Sequence, residues 1–290
     1  MGGGSWTSDD FSSYSSSKGR SVSLDGYVKI TKETSFKENH VHKTLDSTRI
    51  DIRECRNTPE HPNTIPIILG LDVTGSMSDA CNKTLSSLGV IIANLYAKYK
   101  DIEICMMGIG DVNCGDHNPI QMGQFESDIR IAKDLDRLYL EFGGGGNGYE
   151  TYTTAWYMGL YHADLDCWKQ GRKGIIITMG DEPCNPYIDK DRLKRHLRAF
   201  EDIKEDVDTD RLYKEVIKKY DIYHISVDDE ENCYRSYKNN ADASWKFLGD
   251  HYIISSIENL PKAIISCIDN SLNFQSIEIE DGSTLKEISW

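Results

Sequence analysis

The sequence predicts a doubly wound α/β fold, a mostly parallel sheet flanked by helices, with an accessory segment ahead of it. Three observations predict it. Apolar runs without alternation recur at residues 65–71, 102–109, 173–179 and 222–227, as strands buried on both faces require. Stretches with helical spacing separate them, as Leu85, Leu88, Ile92, Leu95 and Tyr99 show within 77–100. Strand and helix then alternate, the signature of a parallel sheet covered on both sides.

Taken in order, residues 1–20 are Gly/Ser-rich with almost no aliphatic side chains, and read as a flexible arm that buries too little surface to offset ordering entropy. Residues 21–60 read as an accessory segment with short alternating strands at 27–30 and 48–52. The main domain is expected over 61–270. It opens with strand 65–71, helix 77–100 and strand 102–109, the last ending in Gly110-Asp111. A short strand at 120–125 and a helix at 128–140 follow. A glycine run, Gly143 to Gly146 with Asn147 and Gly148, leads into a helix over 151–168. After strand 173–179 come charged helices at 189–200 and 209–219, strands at 222–227 and 252–254, and a closing helix at 257–268. Residues 271–290 form a tail.

Lys plus Arg number 33 and Asp plus Glu 47, for a formal net charge of -14. That balance excludes a nucleic-acid binder, which needs a cationic surface. It suits a protein that binds cations or basic partners, and equally one whose acidity only maintains solubility. No apolar run approaches the ~20 residues of a membrane span. The amino terminus has no apolar segment of the secretory kind, and Trp6 stands where a myristoylation signal has Ser or Thr. The eight cysteines are scattered without a C-x-x-C pair, as buried free thiols in a reducing cytosol would be. A cytoplasmic location and no membrane partner are therefore expected. Cys114 and His117 have a C-x-x-H spacing that Cys184 would extend into a zinc site, but no second ligand pair follows.

In doubly wound folds, ligands bind at the carboxyl ends of the strands. The first strand is followed by Asp72-Val73-Thr74-Gly75-Ser76, and the strand at 173–179 by Gly180-Asp181-Glu182-Pro183. Two carboxylates from two strand ends, with alternating oxygens at 72, 74 and 76, offer the all-oxygen shell that Mg²⁺ or Mn²⁺ prefers. Thr74 or Ser76 would alternatively cap the next helix. Capping leaves unexplained an Asp at a buried strand end, where an unpaired charge is costly.

These residues resemble the first motif of the von Willebrand factor type A (VWA) domain, Asp-x-Ser/Thr-x-Ser, over about residues 65–270. The resemblance implies a Rossmann-like VWA fold and a metal-ion-dependent adhesion site with Asp72, Thr74, Ser76 and Asp181 as ligands. The family's middle motif, Gly-Gly-Thr before a helix, is replaced by a glycine loop ending Gly148-Tyr149-Glu150-Thr151. Either Glu150 or Thr151 would complete the site. Glu150 would make it more anionic, so that it holds its cation more tightly. A helix start with Glu150 favoured by the dipole is the alternative. The loop lacks the Lys-Ser/Thr that ends a P-loop, so no nucleotide is expected. Asp111 and Asp116 follow the second strand and read as a solvated loop.

The resemblance implies a protein-interaction module whose cation accepts an acidic group from a partner. Cytosolic bacterial and phage members of this kind work beside AAA+ ATPases or other assembly complexes. The acidic run 228–231 reads as an accessory contact or a solvated face. A phosphohydrolase or phosphotransferase using Asp72 is the alternative, but its second carboxylate would stand at position 74, which is Thr74. His117, His162 and His196 have no nucleophile at a suggestive spacing. A domain that kept the fold and lost the metal is the third reading.

Overall fold

The computed structural model describes residues 4–141, 147–198, 202–228 and 241–281, the stretch 274–281 by its backbone alone. A six-stranded sheet forms its centre. Its strands are β1 (Ile65–Asp72), β2 (Ile102–Ile109), β3 (Ile120–Met122), β4 (Gly174–Gly180), β5 (Tyr220–Asp228) and β6 (Tyr252–Ser256), in the order β6-β5-β4-β1-β2-β3. Every neighbouring pair is parallel except β2 with β3. The expected doubly wound, mostly parallel sheet is thus present. The chain leaves β1 for β2 and β3 on one side, then returns to lay β4 on the other. The order therefore reverses between β1 and β4, the point where such sheets open a crevice beyond their strand ends.

The helices that cover the two faces of the sheet are α1 (Ser78–Lys98), α2 (Arg130–Asp136), α3 (Thr154–Tyr161), α4 (Thr209–Val216) and α5 (Leu260–Asp281). Strand side chains alternate between two cores. Ile67, Leu69, Leu71, Ile104, Met106, Ile175 and Ile177 pack under α1, α2 and α5. Ile68, Cys105, Met107, Ile176 and Ile222 pack under α3 and α4. Each fully buried Ile or Leu contributes about 1.5–3 kcal/mol, so both faces of the sheet are held under their helices. Among the described residues no helix is long and apolar enough to cross a membrane.

Several elements differ from their sequence reading. The arm expected over 1–20 contains a helix, Ser8–Ser17, capped by Thr7 Oγ1, which accepts from Asp10 N at 3.0 Å. Aromatic rather than aliphatic residues hold it down. Phe11 is buried against Trp6, ring centroids 5.1 Å apart, and the Tyr14 hydroxyl donates to Asp136 Oδ2 at 2.7 Å. Arg20 forms a buried ion pair with the same Asp136, at 2.6 Å. The strand expected at 48–52 is a turn, Ser47–Arg49, because Asp46 Oδ1 accepts from Thr48 N at 3.0 Å. The strand begins later, at Arg53–Cys55.

That displaced strand also explains why the helix expected over 151–168 breaks. Arg53–Cys55 pairs in parallel with Ala163–Leu165, and Arg56 ion-pairs with Glu54, Asp164 and Asp166. Ladder hydrogen bonds and these charges outweigh helical spacing at 163–165. The helix expected at 189–200 is a single turn, Lys190–Leu193, continued by a tighter turn, Lys194–His196. The closing helix runs on to Asp281, into the expected tail. Gly143 to Gly146 and positions 229–231 lie outside the described residues.

Candidate metal centre

Leu71 of β1 stands beside Met179 of β4 in parallel register, so the next residues of both strands emerge at one edge, at the switch point. There Asp72 is fully buried. Its Oδ1 accepts from Thr74 N at 2.9 Å and from Thr74 Oγ1 at 2.6 Å. This is the local closure that Asp makes with the residue two ahead. Thr74 makes no side-chain cap to the turn Gly75–Met77, so the capping alternative does not apply to it. Ser76 is exposed, and its hydroxyl donates to Asp181 Oδ1 at 3.4 Å, a long contact. Asp72, Thr74, Ser76 and Asp181 are therefore linked by hydrogen bonds or adjacent register.

Asp72 Oδ2 accepts from the Tyr152 hydroxyl at 2.7 Å, and that hydroxyl accepts from Glu182 N at 3.2 Å. Gly180 permits the approach: a Cβ there would stand 2.0 Å from Tyr152 Oη. Neither residue was singled out from the sequence. The glycine ahead of Asp181 was the one available signal, as a mark of close approach.

Glu150 and Thr151 go different ways. The Thr151 hydroxyl donates to Asp111 Oδ1 at 2.6 Å and accepts from Val112 N at 3.0 Å. Asp111 is fully buried and also accepts from Asn113 N at 2.8 Å and Asn147 Nδ2 at 2.6 Å. The solvated-loop reading of Asp111 is thereby corrected: strand β2 ends inward, and its Asp becomes a buried acceptor. Glu150 is buried, and its Oε2 has no hydrogen-bond partner. Burial raises the pKa of its carboxyl, and the charges of Asp72, Asp111, Asp116 and Glu182 raise it further. Asp72 is raised by burial first and by Asp181 second, against the lowering effect of its bonds from Thr74 and Tyr152. Asp181 is raised by burial and lowered by Ser76. The principal neighbours of Glu150 are all negative.

Behind this edge lies an aromatic layer. Tyr152 meets His224 edge-on at 5.0 Å, and His224 stacks on Trp245 at 3.8 Å. Burial pushes the His224 pKa down to about 3, so the ring stays neutral, with Nδ1 2.8 Å from Thr178 Oγ1. The zinc alternative fails: Cys114 is exposed, and among the described residues no three His, Cys, Asp or Glu side chains gather to hold an ion. The same fact limits the carboxylates. Asp72, Asp181 and Glu150 do not form a three-carboxylate cage, so a cation here would need hydroxyls and water as well.

The residues present fit such an ion. All donors are hard oxygens, and Mg²⁺ keeps several waters in its shell. Asp72 accepts one or two hydrogen bonds on each oxygen, and Glu150 Oε2 is an orphaned buried acceptor. Burying negative charge without a counter-ion costs several kcal/mol, at the order of magnitude seen for buried ions.

No family model and no curated protein matches this sequence. Among solved structures, the pilus adhesin SpaC from Lactobacillus rhamnosus GG in its open conformation is similar at 12% identity, over 75% of this chain and 31% of that one, with a TM-score of 0.47. The chain thus spans about a third of the length of that SpaC chain. The vWF domain of the type V pili tip protein Mfa5 from Porphyromonas gingivalis is similar at 12% identity, over 78% of this chain and 98% of that one, with a TM-score of 0.43.

Proposed function

We propose that this chain is a VWA-like protein-interaction module of the cytosolic bacterial or phage type. Its divalent cation, Mg²⁺ or Mn²⁺, takes an acidic group from a protein partner. Asp72, Thr74, Ser76 and Asp181 would hold the ion, with Glu150 the further carboxylate, on which the charge of Asp72 acts. One observation carries the reading. Asp72 and Asp181 stand at the switch-point edge with Glu150 Oε2 buried and unpartnered nearby, and negative charges dominate around them. A bound cation supplies Lewis acidity and an open position for a carboxylate oxygen. The protein's own part is to orient. Thr74 and Tyr152 hold the two oxygens of Asp72 in place, and Ser76 steers Asp181.

An AAA+ ATPase or another assembly complex is the partner class this reading favours. Phosphotransfer through Asp72 is disfavoured, because Thr74, at the position of the required general acid, donates its hydroxyl to Asp72 itself. Titration calorimetry of chelator-stripped protein with Mg²⁺ and Mn²⁺ tests the proposal. One bound ion is expected, lost in Asp72→Ala and in Asp181→Ala. A wild type silent at millimolar metal would leave only a fold that has lost its ion.

A further inference from the structure

The segment after β4 reads Lys190-Asp191-Arg192-Leu193-Lys194-Arg195-His196-Leu197-Arg198. It has five Lys or Arg against one Asp, a local charge of 5 − 1 = +4 in a chain of net -14. The fold brings this basic stretch to the acidic edge. Asn113, two residues past Asp111, donates from Nδ2 to Tyr187 O at 2.7 Å, and its Oδ1 accepts from Asp189 N at 2.8 Å. Asp189 then caps the turn, accepting from Asp191 N and Arg192 N at 2.9 Å each. Arg192 Nη1 consequently lies 3.3 Å from the point a Cβ on Gly115 would occupy, over the loop that follows β2. The backbone N–H of His117 in that loop donates to Glu141 Oε2 at 3.1 Å, and Glu141 bridges to Thr74.

Lys194 and Arg195 are exposed and Arg192 half-buried. Arg198 is paired with Asp51, whereas Lys190, Arg192, Lys194 and Arg195 make no ion pair among the described residues. Unpaired cations beside a carboxylate-lined edge have a consequence for recognition. A partner acid that approaches the ion meets repulsion from Glu150, Glu182 and Asp116. A basic rim on one side offsets it and draws in chains carrying several acids.

We infer that Arg192, Lys194 and Arg195 form a docking rim for an acidic polypeptide segment, one carboxylate going to the cation and its neighbours to the rim. This rests on the metal-dependent reading above and specifies its partner: a run of Asp and Glu, not a single acid.

Fluorescence anisotropy with a labelled hexaglutamate peptide tests it, in Mg²⁺ and in chelator. The proteins are the wild type, Asp72→Ala, the triple variant Arg192→Ser/Lys194→Ser/Arg195→Ser, and a control with the same charge change at the opposite edge, Lys100→Ser/Lys169→Ser/Lys218→Ser. The triple variant is expected to bind about tenfold more weakly, from three surface charge contacts, with a shallower salt dependence and unchanged Mg²⁺ titration. The control should bind within about twofold of wild type, because its charges precede the strand starts at Ile102, Gly174 and Tyr220, a strand length of roughly 20 Å from the rim's edge and more than a Debye length. Equal binding by the triple variant and the wild type overturns the rim while leaving the metal reading intact. Peptide binding that survives chelator and Asp72→Ala, yet is lost in the triple variant, keeps the rim and overturns the metal reading. No binding by the wild type, or tighter rim-dependent binding of oligo-dT than of hexaglutamate, overturns the inference.

Discussion

The hydroxyl of Tyr152 donates to Asp72 Oδ2 at 2.7 Å, and it reaches that oxygen because residue 180 has no Cβ. Tyr152→Phe keeps the ring against His224 and Trp245 but removes the donor. A hydrogen bond to a buried carboxyl is worth about 1.5–3 kcal/mol, so urea unfolding should show a loss of that size. Gly180→Ala should cost at least as much, since its methyl group and the Tyr152 hydroxyl cannot both fit. If both variants unfold at the wild-type urea midpoint, the contact contributes nothing.

Glu150 and Thr151 are separable by substitution. Glu150→Gln removes a carboxyl that burial and its negative neighbours keep protonated in the metal-free fold, at a cost in stability, so the metal-free protein should gain stability while Mg²⁺ affinity drops by about tenfold. Thr151→Val should leave Mg²⁺ affinity within about twofold. It deprives Asp111 of a donor and Val112 N of an acceptor, so it should destabilise by about 1–3 kcal/mol. Calorimetry and urea melts read the two effects independently. The reverse pattern, with metal affinity lost in Thr151→Val alone, would assign the ligand to Thr151.

The acidic edge makes metal-free stability depend on pH with a defined sign. Burial and Asp181 push the Asp72 pKa from 3.8 up to about 7, and burial takes Asp116 up to about 6. Folding then retains protons that the unfolded chain has released. The stabilising effect is full below the unfolded value and is lost as pH rises through the folded one, so these groups weaken the fold between about pH 4 and about pH 7. Thermal melts in chelator should fall across that window, and Asp72→Asn should flatten the fall. Added Mg²⁺ should raise the melting temperature more at about pH 8 than at about pH 5, where protons compete for the same oxygens. A Mg²⁺ effect independent of pH would mean that the ion binds elsewhere.

The strand runs were legible because their residues must be apolar on both faces, whatever covers them. Ile65–Asp72, Ile102–Ile109, Gly174–Gly180 and Tyr220–Asp228 stand where continuous apolar runs predict strands. The positions of Asp72 and Asp181 at one edge follow from that pattern alone. The break at 163–165 was not legible, because the strand Arg53–Cys55 that causes it lies more than a hundred residues away in sequence. The N-terminal helix was missed because Trp6, Phe11 and Tyr14 are few, and their partners belong to the distant core.

The sequence by itself determined the doubly wound class and the carboxylates at its strand ends, since burial on two faces and local turn chemistry are written in neighbouring residues. Only the tertiary structure decided which atoms meet. It turned Thr151 to Asp111, left Glu150 Oε2 without a partner, set Tyr152 on Asp72 through the space at Gly180, and laid the basic turn at 190–196 beside the loop after β2. Those relationships depend on strand order and loop packing, where side chains 30 to 80 positions apart come within hydrogen-bond distance, as Thr151 and Tyr152 do with partners 40 and 80 residues away. No local pattern encodes such pairs, because their free energy arises from burial that the whole fold creates.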